Sequence, residues 1–230
     1  DRGMIIGNAD LQPERSWQSD VGARFTTTGS SILQASFEET AFLNRYQDQI
    51  VYVQNAQRTM VPINLNRSLI TGLESSFQIA LLERWDLESS LTYTYALNQS
   101  PDEAVFGKQL PNIPRLDVSV LSSIYWDDWF RIGASWTAID RTYADATNWY
   151  PSAQRNFIGL FTRVGLPTHG LSLEFDVLNL TNNIVQVSER NPLDTGDPSQ
   201  ILQGVTDFLG YPLPGRTWYL ELAWRPPHAE

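Results

Sequence analysis

Along most of this chain apolar and polar residues alternate one by one, the period of an extended strand whose side chains point to opposite faces in turn. Trp17, Ser19, Val21, Ala23 and Phe25 hold one phase, and Gln18, Asp20, Gly22 and Arg24 the other. Leu33, Ala35 and Phe37 alternate with Gln34, Ser36 and Glu38, while Thr71, Leu73, Ser75, Phe77, Ile79 and Leu81 alternate with Gly72, Glu74, Ser76, Gln78 and Ala80. The pattern returns through Leu87, Leu91, Tyr93, Tyr95 and Leu97, through Leu116, Val118, Val120 and Ile124, and through Phe130, Ile132, Ala134 and Trp136. It closes with Leu171, Leu173, Phe175 and Val177, then Trp218, Leu220, Leu222 and Trp224. The phase of 157–166 is ambiguous, because Ile158, Leu160 and Val164 compete with Phe157 and Phe161. About nine strands of roughly ten residues are predicted, the length a tilted strand needs to cross a membrane.

The connections between these strands alternate strictly between short and long. Short ones are expected at 26–30, 83–86, 127–128 and 167–170, and long ones at 43–61, 99–114, 140–155 and 181–215. A soluble sandwich whose polar faces meet water explains the alternation of residues, but it has no reason to put every long loop at one end. Outer-membrane barrels do so, with short periplasmic turns and longer extracellular loops. Aromatic residues point the same way. Phe25, Trp85, Tyr125, Trp126, Trp129, Phe130 and Trp224 crowd the short-turn ends, while Trp17, Tyr95, Trp136, Tyr143, Trp149 and Tyr150 lie near the long loops, as two interfacial girdles would. The polar phase carries Asp20, Arg24, Glu38, Glu74, Gln78, Glu88, Asp117, Arg131, Glu174, Asp176 and Glu221, charges that a water-filled or plugged lumen accepts and a packed apolar interior does not.

Composition removes several alternatives. The chain is 42% hydrophobic and 18% charged, yet no stretch approaches the roughly 18 uninterrupted apolar residues of a membrane helix. A net charge of −10 with scattered arginines argues against a nucleic-acid partner, since phosphate contact needs clustered Lys and Arg. Cysteine is absent, which removes disulfides, thiolate metal sites and thiol nucleophiles together. The opening Asp1-Arg2-Gly3-Met4-Ile5-Ile6-Gly7 lacks the regions of a signal peptide and reads as the middle of a loop. A fragment, a processed chain or one half of a split protein is therefore expected.

Gly7-Asn8-Ala9-Asp10-Leu11-Gln12-Pro13-Glu14 resembles the Gly-Asn-x-x-Leu-x-Pro-Glu segment that precedes a late barrel strand in TonB-dependent receptors. Thr71-Gly72-Leu73-Glu74 is similar to the family's Gly-x-Glu strand, and Leu91-Thr92-Tyr93-Thr94-Tyr95 to its Ser-Tyr-Thr strand. Leu110-Pro111-Asn112-Ile113-Pro114 resembles its Leu-Pro-x-x-Pro strand entry. Asp176-Val177-Leu178-Asn179-Leu180-Thr181-Asn182 resembles its Asn-Leu-Phe-Asp region, and Pro214-Gly215-Arg216 its lead into the final strand. The shared order of these segments extends the resemblance over essentially all of 1–230.

The resemblance implies an all-β, transmembrane antiparallel β-barrel, of which this chain is the carboxy-terminal portion: about the last nine strands of a 22-stranded barrel, with the plug and first strands absent. Another segment, of the same or a separate chain, is needed to close the wall. The implied partners are that amino-terminal barrel and plug segment, the TonB energy-transducing complex acting through the plug, and outer-membrane lipids of a Gram-negative cell. The implied activity is TonB-driven uptake of a scarce ligand such as a ferric siderophore. The alternatives are a receptor-derived barrel acting as a structural or surface-interaction component without transport, and a soluble sandwich that binds a ligand. One departure from the family is the tail, since Trp224 is followed by Arg225-Pro226-Pro227-His228-Ala229-Glu230 where the family usually ends on an aromatic residue.

Enzyme chemistry is not expected. The only histidines are His169 and His228, in a turn and in the tail, so neither a catalytic triad nor a histidine metal cluster is in reach. Glu74 and Glu88 are lumenal carboxylates of a kind any polar barrel interior supplies. Asn191, Asp194, Asp197 and Ser199 are closely spaced oxygen ligands, but they lack the Glu-terminated loop of a calcium site and read as Asx turns. No cofactor or metal is expected. The ligand-binding candidates are Arg115, Arg131 and Arg141 near the mouth, with Arg155 beside them, and the aromatic loop residues Tyr143, Trp149 and Tyr150. Guanidinium groups suit an anionic chelate, though lumenal salt bridges to Asp117 or Asp140 explain them as well, and the aromatics are either a ligand platform or part of the girdle.

Overall fold

A computed structural model describes residues 6–27, 32–54, 59–127, 129–149, 151–166, 170–188, 201–207 and 211–224 of the chain. The regular elements are β1 (Arg15–Thr26), β2 (Leu33–Gln54), β3 (Met60–Leu81), β4 (Trp85–Asn98), β5 (Leu116–Trp126), β6 (Phe130–Ile139), β7 (Arg155–Leu166), β8 (Leu171–Leu178), β9 (Val185–Ser188), β10 (Ile201–Gly204) and β11 (Thr217–Trp224). No described helix is long and apolar enough to cross a membrane. Nine strands form one antiparallel sheet in the order β1-β2-β3-β4-β5-β6-β7-β8-β11, and β9 and β10 make a separate hairpin within the last long connection. The outer edges of β1 and β11 are bonded to no other strand among the described residues.

Register decides which side chains share a face, and here one apolar face runs unbroken across the sheet. Phe25 stands opposite Phe37, and Phe37 opposite Phe77. Farther along, Leu91 faces Val118, Ile124 faces Ile132, Val164 faces Leu173, and Leu173 faces Leu222. These residues are open to the surroundings even in interior strands: Leu91 is 38% exposed, Ile132 45% and Trp136 41%. No second sheet covers that face among the described residues, so the sandwich reading fails. A belt of this kind is stable against hydrocarbon and not against water. Among the described residues Glu39 is the one acid in the body of the belt, opposite Ala23 and Ser75, and its carboxylate accepts the Ser75 hydroxyl.

Every charged residue assigned to the polar phase lies on the opposite face, with Arg24 against Glu38, Thr40 against Glu74, Gln78 against Glu88, and Glu174 against both Arg163 and Glu221. The ambiguous strand is resolved by its neighbours: Ile158 and Leu160 pair with Trp136 and Ala134 on the belt, which turns Phe157 and Phe161 toward the lumen. Tyr125, expected in the short-turn girdle, is likewise lumenal, because it pairs with Arg131.

A larger difference concerns 43–61. The expected long loop instead prolongs β2 and β3 to 22 residues each, paired from Tyr46 opposite Ser68 out to Gln54 opposite Met60. At ~3.3 Å per residue and a ~45° tilt, such a strand spans roughly 50 Å along the membrane normal, so the hairpin projects well beyond a ~25 Å belt. Strand-forming Ile50, Val51, Tyr52, Val61 and Ile63 continue the ladder, and residues 6–14 lace onto it. The Ile6 amide donates to Met60 O at 3.0 Å, Asn8 Nδ2 to Pro62 O at 3.0 Å, the Gln12 amide to Asn64 Oδ1 at 2.7 Å, and the Ile50 amide to the Glu14 carboxylate. The Gly-Asn-x-x-Leu-x-Pro-Glu segment is thus a backbone clamp on the projecting hairpin.

Two lumenal glycines sit under aromatic rings from the neighbouring strand. A Cβ on Gly72 would overlap Tyr93 O and the Phe42 ring, and one on Gly133 would overlap the Phe161 ring. The missing side chain is what leaves room for each ring. Gly72→Ala is therefore expected to lower the stability of the folded barrel by about 1–3 kcal/mol, the usual effect of overpacking. A urea titration in detergent micelles followed by tryptophan fluorescence checks this, and Gly7→Ala, where a Cβ meets nothing within 4 Å, serves as the neutral comparison.

Candidate functional site

The short turns join β1 to β2, β3 to β4, β5 to β6 and β7 to β8, so the opposite end of the sheet carries every long connection. At that end the β4–β5 and β6–β7 connections are built as one unit. Residues 107–110 run beside β4, the Asn98 amide donating to Lys108 O at 2.8 Å and the Leu110 amide to Ala96 O at 3.0 Å. Leu110 buries itself with Ala96 against Val51, Ile70 and Ile113, the principal apolar cluster of the wall. The outward-facing backbone of Gln109 is then taken by Asn148. The Gln109 amide donates to Asn148 Oδ1 at 2.7 Å, and Asn148 Nδ2 donates to Gln109 O at 2.8 Å, so a side-chain amide pairs as a further strand would. The Asn112 amide adds a bond to Tyr143 O at 2.9 Å. Asn112 and Asn148 both adopt φ near +60°, a conformation asparagine tolerates better than most residues.

Within the β6–β7 connection Asp145 is the organising group. Its carboxylate accepts the Thr147 amide at 3.1 Å, the Trp149 amide at 3.0 Å and the Thr147 hydroxyl. Thr142 and Ser152 close the base of the loop, the Thr142 amide donating to Ser152 Oγ at 2.9 Å. Asp140 accepts the Arg141 amide at 2.8 Å and Gln154 Nε2 at 3.0 Å. Arg141, Tyr143 and Trp149 all lie on the loop this framework orders, and Trp149 is exposed. Tyr150 lies outside the described residues, as do His169, His228, Asn191, Asp194, Asp197 and Ser199.

The other candidates are elsewhere. Arg115 folds over the outer surface, with its Nε on Gln109 Oε1 at 3.1 Å and its guanidinium 5.5 Å from the Tyr95 ring. Tyr95 belongs to the apolar face, since it stands opposite Thr71, which in turn faces Leu43. Arg131 is not at the mouth. It follows the short turn into β6 and sits on the lumenal face at the far end, its guanidinium 5.0 Å from the Tyr125 ring and 5.1 Å from the Phe161 ring, with Nη2 on Ser123 Oγ at 2.9 Å. Together with Arg163, Glu174 and Glu221 it lines an open concavity of about 640 Å³. Among the described residues the ion pairs are Arg24 with Glu38 at 3.7 Å and Arg84 with Asp127 at 3.9 Å, so Asp117 and Asp140 do not neutralise Arg115, Arg131 or Arg155.

The last long connection is held by the two segments whose sequences flank it. Asn179 Nδ2 donates to Pro214 O at 3.2 Å, the Arg216 amide donates to Asn182 Oδ1 at 2.9 Å, and the Asn183 amide to Asn179 Oδ1 at 2.8 Å. Sequence reasoning missed the organising roles of Asn148, Gln109, Asp145, Asn179 and Asn182. The available signal was the Asp/Asn spacing of Asx turns in Asp145-Ala146-Thr147-Asn148-Trp149.

Residues 1–180 match the family model described as TonB dependent receptor-like, beta-barrel. The chain belongs to that family. Its relatives include the iron-regulated outer membrane virulence protein of Vibrio cholerae serotype O1 (strain ATCC 39541 / Classical Ogawa 395 / O395), 30% identical over 125 residues that cover 49% of this chain and 18% of that protein. Among solved structures, the ferric yersiniabactin uptake receptor FyuA from Yersinia pestis superposes with a TM-score of 0.66 at 14% identity, over 91% of this chain and 29% of that one. The siderophore receptor PirA from Acinetobacter baumannii gives 0.63 at 20% identity, over 96% and 33%. This chain therefore spans about a third or less of the length of these three relatives. It is a protein of the Gram-negative outer membrane, from a family of transporters rather than enzymes.

In this receptor barrel the long connections are the extracellular ones and the short turns face the periplasm. Asn148→Ala removes both side-chain bonds to Gln109 and leaves alanine at a left-handed φ. Amide exchange at Gln109 is expected to accelerate about tenfold or more, the equivalent of a ~1.5 kcal/mol hydrogen bond, with exchange in β5 and β6 unchanged; hydrogen–deuterium exchange read by mass spectrometry checks it.

Proposed function

We propose that this chain is the carboxy-terminal wall of an active importer, whose extracellular rim binds a scarce metal chelate such as a ferric siderophore. Further strands, of the same or a separate chain, complete the barrel at the free edges of β1 and β11. In this reading the lumen holds a plug, and the inner-membrane TonB complex pulls on that plug to open the path. The observation that carries the proposal is the interlocked rim, where Asn148 and Gln109 join the β4–β5 connection to the β6–β7 loop that carries Arg141, Tyr143 and Trp149. An arginine and an exposed indole on the same loop suit a large anionic chelate with aromatic or conjugated arms. The ferric-chelate receptors among the relatives support the same assignment. At the periplasmic end, Arg131, Arg163, Glu174 and Glu221 present a mixed-charge concavity that suits a polar plug surface better than a small ligand.

Binding of a panel of ferric catecholate and hydroxamate chelates to the whole receptor tests the proposal. Trp149→Ala and Arg141→Gln are each expected to weaken the tightest chelate by on the order of tenfold or more, as loss of a central anchor does, while the barrel stays folded by its heat-modifiable mobility. If no chelate in the panel binds and iron-starved cells lacking the receptor take up iron normally, the protein is a structural or surface-interaction component instead.

A further inference from the structure

The lipid-facing belt holds one side chain that hydrocarbon does not suit. Glu39 shares the parity of Phe37 and Ala41 on β2, and across the sheet it stands between Ala23 on β1 and Ser75 on β3. Leu33 at the short-turn end, Glu39 and Arg45 toward the extracellular border are evenly spaced along β2. At ~3.3 Å per residue and ~45° tilt each interval rises roughly 14 Å, which places the Glu39 carboxyl near the middle of a ~25 Å belt. It is part-buried there, and the Ser75 hydroxyl donates to its Oε2. Among the described residues no other hydrogen bond and no ion pair reaches it. Its outward neighbours Ala23, Phe37 and Ala41 have no polar side-chain atom to offer. Ionisable groups inside a membrane are costly, and they persist where a partner meets them.

The surface around Glu39 lets another protein come close. Ala23, Ala41 and Ser75 are small, as residues between packed membrane segments tend to be. On the extracellular side of Glu39 the outward residues Val21, Ala41, Leu43, Leu73 and Tyr93 help to line a depression of about 430 Å³ with room for a neighbour's side chain. We propose that a second copy of the receptor docks on this face, with the two Glu39 carboxyls in contact across a two-fold axis along the membrane normal. Depth favours a second copy over other occupants. Every copy inserts with the same orientation, so its Glu39 lies at the same height, and rotation about the normal is the symmetry that sets a residue against itself. A carboxyl pair is also self-complementary: the O–H of one donates to the carboxylate oxygen of the other, one proton serves both, and each keeps its Ser75 hydroxyl. A lipid acyl chain offers no such donor. A different protein bearing a lysine or arginine at this depth would itself carry an unpaired charge in the membrane until it docked. The inference uses only the outer-membrane placement of the barrel and stands whether or not the receptor imports a chelate.

The test uses the whole receptor in native outer membranes, with Ala41 replaced by the photo-crosslinking residue p-benzoylphenylalanine and the adducts identified by mass spectrometry. A self-adduct is expected at Ala41, well above the level given by the same probe at Ala134, an exposed belt position on β6. Glu39→Leu is expected to cut that adduct about threefold or more, the weight of one hydrogen bond in lipid, while Glu39→Gln, which pairs amide to amide, keeps most of it. Adducts with a different protein, or a self-adduct no stronger at Ala41 than at Ala134, overturn the proposal. So does a self-adduct that Glu39→Leu leaves unchanged. Heat-modifiable mobility reports folding, and if the leucine variant does not fold, Glu39→Ala takes its place. Should the bulky probe itself hold the walls apart, Ala41→Cys decides, since this chain has no cysteine of its own. Oxidation by copper phenanthroline then yields a disulfide-linked dimer that Ala134→Cys does not form, or overturns the proposal by yielding none.

Discussion

Hydrocarbon offers no hydrogen bonds, so each backbone N–H and C=O within the membrane must be satisfied by the protein itself, at a cost of several kcal/mol for each group left alone. The continuous antiparallel ladder from β1 to β11 meets that demand for all but the two outer edges. The rest of the architecture follows from it. Strands long enough to cross must be joined by turns on one side and loops on the other, and a register error of one residue would bring the charged face to the lipid. In the reading proposed here, the edges of β1 and β11 are where the remaining wall attaches.

Once the ladder is fixed, each strand has two environments to serve. The belt is mostly aliphatic and aromatic with some serine and threonine, and its one acid among the described residues, Glu39, is placed between Ala23 and Ser75 with a hydroxyl to bond. The lumenal face mixes charges with a few rings that lie over neighbouring glycines, as Phe42 does over Gly72 and Phe161 over Gly133. Those rings cover backbone that would otherwise be open to the pore, and they do so without disturbing the strand spacing.

The loops obey a different logic. They lie outside the membrane, where water can satisfy the backbone, and their order comes from asparagine, aspartate and glutamine side chains that take the place of missing strand neighbours. Asn148 does this for Gln109, Asn64 for Gln12, and Asn179 and Asn182 for the segment leading into β11. The family-like sequence segments coincide with these stitches: Asn8 and Glu14 clamp the β2–β3 hairpin, and the Asn-Leu-Thr-Asn segment holds Pro214 and Arg216. The stitches fix where the rim residues stand, while the rim residues supply the chemistry.

The alternation of polar and apolar positions was enough to place the strands, the two faces and the polarity of the loops, because period two is a local property that survives any tertiary arrangement. It could not phase 157–166, since a lumenal phenylalanine over a cross-strand glycine has the same local pattern as a lipid-facing one, and only pairing with Trp136 and Ala134 separates them. It also mistook 43–61 for a loop, because the clamp that favours the ladder there comes from residues 6–14, far away in sequence. Arg115 and Arg131 were grouped with Arg141 on charge and on an expected place near the mouth. Where a guanidinium ends up depends on which ring and which amide lie beside it, Tyr95 and Gln109 for Arg115, Tyr125 and Phe161 for Arg131, and those neighbours are brought together only when distant strands pair.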